Sequence, residues 1–346
     1  MKRHLFLLIF CLLCGSISAQ TKWYNPMEAG FPVIQNQGFT SEIGNSYVRL
    51  PDRAKGVVRN PVWDLSRHSA GLSISFYCNS PEIQVQYVTT NTKNYAMQHM
   101  PATGVSGVDL YSINSDGKWN ICYGGLSFGD TVKTTYKNIG KDRYHNEGFE
   151  YRLYLPLYNG VNWLRIGIQE GKKLTFIPAS IEKPIVLYGT SIAQGACASR
   201  PGQAWSNILQ RDIDFPVINL AFSGNGKLEP EVLNFINEID SRLYILDCIP
   251  NLTEISADVV TSRVLAAVKQ IRAKHSTPIL LVEHAGYSNA ITDSARISYK
   301  IANEGSIKAY KQLLAEGIKD LYYISHEDLN FDPDMWVDNT HPSDWG

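Results

Sequence analysis

Ser191 lies in the run Gly189-Thr190-Ser191-Ile192, and Asp338 and His341 lie three residues apart in Asp338-Asn339-Thr340-His341. A serine hydroxyl is a weak nucleophile until a base takes its proton. His341 can be that base, and Asp338 can accept a hydrogen bond from the other imidazole nitrogen and fix the tautomer. Attack on an ester carbonyl creates an oxyanion that needs preorganised donors. The backbone N–H groups of Ser191 and Gly224 offer two, and the side-chain amide of Asn251 a third. Each residue also has an ordinary reading. Ser191 alone is a common turn serine, and an isolated DxxH is a helix cap or a metal pair. Gly224 can be needed only for a positive φ. Asn251-Leu252-Thr253 is the one N-x-S/T sequon of the chain, a glycan acceptor in a eukaryotic source. Taken together, each of these residues has a role in acyl transfer.

These residues need a scaffold that brings them together. From Pro184 onward, short apolar runs alternate with helix-like segments. The runs 185–188, 217–222, 243–246, 278–282 and 321–324 read as strands buried on both faces. The segments 204–213, 229–239, 257–274 and 294–316 read as helices, with Pro230 near the start of the second. Such alternation predicts a parallel sheet covered by helices on both faces, with function at the carboxyl ends of the strands. Ser191, Gly224 and Asn251 each follow a strand end, and Asp338 and His341 follow the last strand. Arg200, in the loop after Ser191, is read either as a substrate contact or as one half of a structural salt bridge. Glu283 and His284 end the fourth strand and are read as supporting or pocket-wall residues.

Before Pro184 the period is two. Leu72–Phe76, Ile83–Tyr87 and Phe149–Leu155 alternate apolar with polar residues, as half-buried strands do. Asp116-Gly117 and Asn159-Gly160 are hairpin signals. No helical period of useful length runs between 40 and 178. Many short antiparallel strands imply a sandwich or jelly roll.

The blocks GTSI (189–192), AFSGNG (221–226), CIPN (248–251) and DNTHPSDWG (338–346) resemble those of the SGNH, or GDSL-type, hydrolases. In the third block only Asn251 matches, because the family's glycine is missing. Gly107-Val108-Asp109-Leu110-Tyr111 is similar to the GxDLY signature of a β-sandwich that precedes some SGNH domains. The resemblance implies an α/β fold: a flavodoxin-like three-layer hydrolase domain over residues 181–346, after a jelly-roll β-sandwich over 20–180. It implies Ser191, Asp338 and His341 as catalytic residues and Ser191, Gly224 and Asn251 as the oxyanion hole. Arg200 is added from the residues alone as a substrate-binding candidate. Asp109 and Tyr111 are read as structural. The expected function is a serine esterase acting on O-acyl, above all O-acetyl, groups of carbohydrates, with no metal and no organic cofactor. The rivals are a lipase or thioesterase for longer acyl chains and a noncatalytic glycan-binding protein with an inactive hydrolase fold. SGNH domains commonly continue into a closing C-terminal helix, and Gly346 comes five residues after His341, so that helix is expected to be absent or cut off.

Composition is consistent with this. The 346 residues are 44% hydrophobic and 19% charged, enough for a sizeable core. Lys and Arg total 32 against 33 Asp and Glu, a balance that argues against a nucleic-acid binder working by bulk charge. Residues 1–19 read as a cleavable signal peptide: Lys2 and Arg3, an apolar run Leu5–Leu13, then small residues up to Ala19. The run is too short to span a membrane and no later stretch qualifies, so the protein is expected to be exported from a bacterium, periplasmic or secreted, without a stable membrane anchor. Cys78, Cys122, Cys197 and Cys248 remain after the leader and show no zinc spacing. A Cys197–Cys248 disulfide is open, since both residues flank site blocks.

Overall fold

The computed structural model describes residues 20–346, and the leader expected over residues 1–19 lies outside them. Period-two segments form strands as their patterns require. In β4 (Ile83–Thr89) every second residue is buried, from Ile83 to Thr89. One antiparallel sheet runs β1 (Thr21–Tyr24), β10 (Val161–Gln169), β4, β8 (Val132–Tyr136), β7 (Leu126–Ser127). A second runs β11 (Leu174–Phe176), β3 (Ser73–Cys78), β9 (Phe149–Tyr154), β5 (Asp109–Ile113), β6 (Trp119–Cys122), with β2 (Ile34–Gln35) also on β3. Ile83, Val85, Leu164 and Ile166 of the first sheet share one core with Ile74, Phe76, Leu110 and Leu153 of the second.

Asp116-Gly117 joins the antiparallel pair β5 and β6, with Gly117 at φ 75°. Asn159-Gly160 does not make a hairpin: it carries the chain from β9 in the second sheet to β10 in the first. The Asn159 amide is used elsewhere. It accepts from Thr90 Oγ1 and Asn91 N, both at 3.0 Å, and donates to Asn91 O at 2.9 Å, fixing the chain that leaves β4.

The second half forms a five-stranded parallel sheet in the order β13 (Val217–Ala221), β12 (Ile185–Gly189), β14 (Leu243–Asp247), β15 (Ile279–Val282), β16 (Leu321–Ile324). The chain leaves β12 for β13 on one side and returns to β14 on the other, so the strand order reverses at β12. A crevice opens at the carboxyl ends at such a point. α6 (Pro230–Ile236), α7 (Ala257–Arg272) and α8 (Ser298–Ala315) pack Val232, Val264 and Ala302 on one face, against Val186, Leu220 and Leu246. α5 (Trp205–Ile213) packs Trp205 and Leu209 on the other, against Ile185, Leu187 and Ile245. Toward β15 and β16 that second face opens into an apolar cavity of about 530 Å³, lined by Ile245, Asp247, Leu280, Val282 and Ile324.

The sequence pattern also missed the helical turns before residue 180. α1 (Thr40–Ile43), α2 (Asn60–Leu65) and α3 (Ala102–Val105) are too short to display a helical period. Phe39, Leu50, Val58 and Val62 from this stretch join the core of the parallel sheet, not that of the antiparallel pair. Arg49, 2% exposed, ties this stretch to β13: its guanidinium donates to the carbonyls of Leu65 and His68 and to those of Asn219 and Ala221, at 2.6–3.1 Å. No helix among the described residues is long and apolar enough to cross a membrane.

Candidate active site

Ser191 begins α4 (Ser191–Gln194), which follows β12 after one extended residue, Thr190. So sharp a turn from strand to helix requires Gly189, because a Cβ there would sit 2.5 Å from that of Ala193. The next turn depends on glycine in the same way: a Cβ on Gly226 would lie 2.0 Å from the Gly189 carbonyl oxygen. Ser191 is held from the N-terminal half, with Tyr158 Oη donating to its carbonyl at 3.0 Å. Gln194, fully buried, joins three segments. Its amide donates to Leu157 O at 3.0 Å and His68 Nδ1 at 3.2 Å, and its oxygen accepts from Ser223 N at 3.0 Å. Burial pulls the pKa of His68 down to about 4, so the ring is neutral and its Nδ1 can accept.

The loop carrying Asp338 and His341 is closed by Val337 N donating to His341 O at 2.9 Å and Ser343 N to Met335 O at 2.7 Å. Asp338 Oδ1 accepts from Thr340 N at 2.7 Å and His341 N at 2.6 Å, which leaves Oδ2 for His341 Nδ1 at 2.9 Å. His341 Nε2 lies 2.9 Å from Ser191 Oγ. Partial burial opposes ionisation of Asp338, but the imidazole and the two N–H donors outweigh it and hold the carboxyl below its ordinary pKa. An ionised Asp338 accepts a hydrogen bond from Nδ1–H and keeps the proton on that nitrogen, so Nε2 faces the serine as an acceptor.

Gly224 has a φ of 67°, which meets its conformational reading, and its neighbour Ser223 is tied to α4 through Gln194. Among the described residues, the backbone N–H groups of Ser191 and Gly224 donate to no protein acceptor. Asn251 ends a 3-10 turn after β14, and its amide spends one N–H on Gly226 O at 3.3 Å, leaving the second.

Arg200 is tied into the protein. Its Nη1 donates to Asp109 Oδ2 at 2.8 Å and Tyr111 Oη at 2.6 Å, and Gly202 N reaches the same carboxylate at 2.9 Å. This is the salt-bridge reading, and it gives the GxDLY residues Asp109 and Tyr111 a structural role, since they fasten the antiparallel half to the loop after the serine. Cys197 and Cys248 do not pair; all four cysteines among the described residues are free thiols. Cys248 instead points its Sγ at Tyr188 O, 3.6 Å away. Glu283 accepts from Tyr323 Oη at 2.5 Å and His326 N at 2.7 Å, and His284 is fully buried with Nδ1 accepting from Gly286 N, so both brace the wall.

Sequence reasoning missed His99. Met97 and Met100 bridge each other, and His99 projects from the turn between them. Its ring stacks on that of His341, with centroids 5.2 Å apart and planes 16° off parallel. Residues 96–101 and Val337–Asp338 wall an open cleft of about 650 Å³. The antiparallel half therefore supplies one side of the site. A histidine in an irregular loop about 90 residues before the serine gives no spacing signal.

The family model of the GDSL-like lipase/acylhydrolases matches residues 182–346, and that of the N-terminus of SGNH-hydrolase-type esterases matches residues 21–174. The solved structure of a provisionally named GDSL-like lipase from Bacteroides ovatus ATCC 8483 superposes with a TM-score of 0.84 at 32% identity, over 94% of this chain and 93% of that one. The chain belongs to the GDSL-like lipase/acylhydrolase family. This acylhydrolase also shares its fold with the salicylyl-acyltransferase SsfX3 of a tetracycline biosynthetic pathway, at TM-score 0.71 and 16% identity over 94% of this chain and 92% of that one. A family two carbohydrate esterase from Cellvibrio japonicus is more distant, at TM-score 0.48 and 14% identity over 89% of each chain, and bears no weight here. A comparison with curated proteins found no match.

Proposed function

We propose that this family member is an exported serine esterase that removes O-acyl groups, acetyl first, from carbohydrates. The observation that carries the mechanism is the unbroken relay Ser191 Oγ–His341 Nε2 and His341 Nδ1–Asp338 Oδ2, with both contacts at 2.9 Å. His341 takes the serine proton as Oγ attacks the ester carbonyl. Asp338 stabilises the imidazolium without itself becoming protonated. The N–H groups of Ser191 and Gly224, with the free amide hydrogen of Asn251, receive the oxyanion; one such donor is typically worth about 2.7–4 kcal/mol of barrier. The alcohol leaves with the proton from His341, and water then attacks the acyl-enzyme through the same base. Acid, base and electrophilic donors are all protein groups, so the chemistry needs no cofactor.

The carbohydrate part of the proposal rests on the leaving-group side. The cleft beside Asp338 is wide and open, and it presents Gln98 and His99 next to the Met97 and Met100 side chains. A lining that mixes polar with apolar groups suits a sugar better than an acyl tail. We place the boundary between the two units near residue 180, with the 39–65 stretch as an arm of the first unit.

A second reading has its own observation. The apolar cavity of about 530 Å³ reaches Ile192 and Pro342, next to Ser191 and His341, and has room for a longer acyl chain. Ser191 does not line it, which favours the short acyl group. A series of p-nitrophenyl esters separates the two. Maximal kcat/KM at acetate supports deacetylation, and a maximum at octanoate or beyond replaces it with a lipase. A protein inert toward every ester is the glycan-binding alternative.

A further inference from the structure

We propose that His99, Cys197, Asp338 and His341 form a binding site for a soft divalent cation such as zinc, and that the bound ion switches the enzyme off. One ligand atom from each of the four lies within 4.8 Å of the others. A tetrahedral zinc with bonds of about 2.0–2.3 Å spaces its ligand atoms roughly 3.3–3.8 Å apart, so the widest pair has to close by about 1 Å. The set is chemically apt. Two imidazoles, one thiolate and one carboxylate suit zinc, and the thiolate disfavours magnesium or calcium.

The four ligands come from three segments that the fold already holds together. His99 projects from the bridged Met97–Met100 turn with its ring stacked on that of His341, and because an ion binds in the plane of each imidazole the His99 ring has to turn out of that stack to share it. Cys197 N donates to Pro342 O at 3.2 Å, which fastens the thiol-bearing residue to the loop of Asp338 and His341. Asp338 Oδ1 is occupied by two backbone N–H groups, but Oδ2 holds only the imidazole proton, so an ion can replace that proton.

The proton balance closes. Zinc displaces the hydrogen from His341 Nδ1, which moves to Nε2, and it displaces the thiol proton of Cys197, which goes to solvent. A metal ion deprotonates a coordinating thiol outright, which counters the burial that keeps Cys197 protonated. His341 then points an N–H at Ser191 and has no lone pair to accept its proton. The ion site itself does not depend on the proposed hydrolysis, whereas the inhibition rests on His341 being the base.

The test uses the chelator-stripped mature protein with zinc, and with cobalt(II) as the spectroscopic probe. Metal content after dialysis counts the ions, and the thiolate-to-cobalt charge-transfer band reports Cys197. We expect one ion per chain, removable by EDTA, with the band present. His99→Ala and Cys197→Ala should each weaken zinc at least about tenfold, and Cys197→Ala should abolish the band, with thermal unfolding confirming that both variants fold. Ser191→Ala should bind zinc as the parent does. Loss of the ion in Ser191→Ala, zinc retained unchanged by the other two variants, or the absence of a thiolate band overturns the site. Binding with undiminished esterase activity leaves the ion site standing but overturns the switch, and with it His341 as the base.

Discussion

Replacing Asp338 by Asn tests the relay with almost no change in shape. Asp338 Oδ1 receives the N–H groups of Thr340 and His341 at 2.7 and 2.6 Å. An asparagine side chain at this position must keep its carbonyl oxygen on that side, because an NH2 group cannot accept those donors. Its NH2 then faces His341 Nδ1, where Oδ2 accepts at 2.9 Å in the parent. Nδ1 has to become the acceptor and Nε2 the N–H, so the imidazole presents a donor to Ser191 and cannot take its proton. The corresponding change in a serine protease, the worked case for this effect, lowers kcat by about 10⁴. That is about 5.4 kcal/mol at 1.36 kcal/mol per decade. The backbone bonds survive, so KM and the unfolding temperature should barely move. Steady-state hydrolysis of p-nitrophenyl acetate measures kcat and KM, and a thermal melt controls for folding. A folded Asp338→Asn variant with a tenth or more of the parental kcat refutes the tautomer argument.

Three further outcomes follow from the same geometry. Asp247 is buried in the wall of the apolar cavity, and desolvation pushes its pKa up to about 8. A carboxyl with a raised folded-state pKa contributes stability that is complete below its unfolded value and declines as pH rises toward about 8, at roughly 1.4 kcal/mol per unit. Asp247→Asn should therefore gain stability over the parent as pH rises from 5 to 8, and melts that shift equally at both pH values contradict this. Arg200→Ala should destabilise the fold by about 1.5–3 kcal/mol, because it removes the charged partner of the buried Asp109 carboxylate and leaves it only the Gly202 N–H, and should leave KM unchanged; denaturant unfolding and kinetics check it, and a raised KM without lost stability restores Arg200 as a substrate contact. Mature protein unfolded in denaturant should titrate four thiols, while the native protein reacts at few of them, since Cys78, Cys197 and Cys248 are buried; two thiols in the unfolded protein contradict the free Cys197 and Cys248.

Signals local in sequence were the legible ones. The runs 185–188 and 217–222 read as doubly buried strands, and the strands that form there, Ile185–Gly189 and Val217–Ala221, pair in parallel as such runs require. The strand-end residues were legible because a parallel sheet gathers its carboxyl ends. That is why Ser191 and His341, 150 residues apart, come within hydrogen-bond distance. The Asn159-Gly160 turn was misread because the dipeptide specifies a bend and not which sheet follows it. The 39–65 arm was invisible because its helical turns are shorter than the window over which a period can be seen. His99, Tyr158 and Gln194 reach the site through contacts across the two halves, and no spacing encodes such contacts. Arg200 could be read two ways until its partners Asp109 and Tyr111 were in view.

The most direct test of the proposed activity is acetate released from a panel of acetylated oligosaccharides and polysaccharides by the parent and by Ser191→Ala. The mechanism requires the parent to release acetate from at least one glycan and the serine variant to be slower by more than about 1,000-fold while still folded. Parental activity retained by Ser191→Ala, or acetate released from none of the glycans by a protein that cleaves long-chain esters, contradicts it.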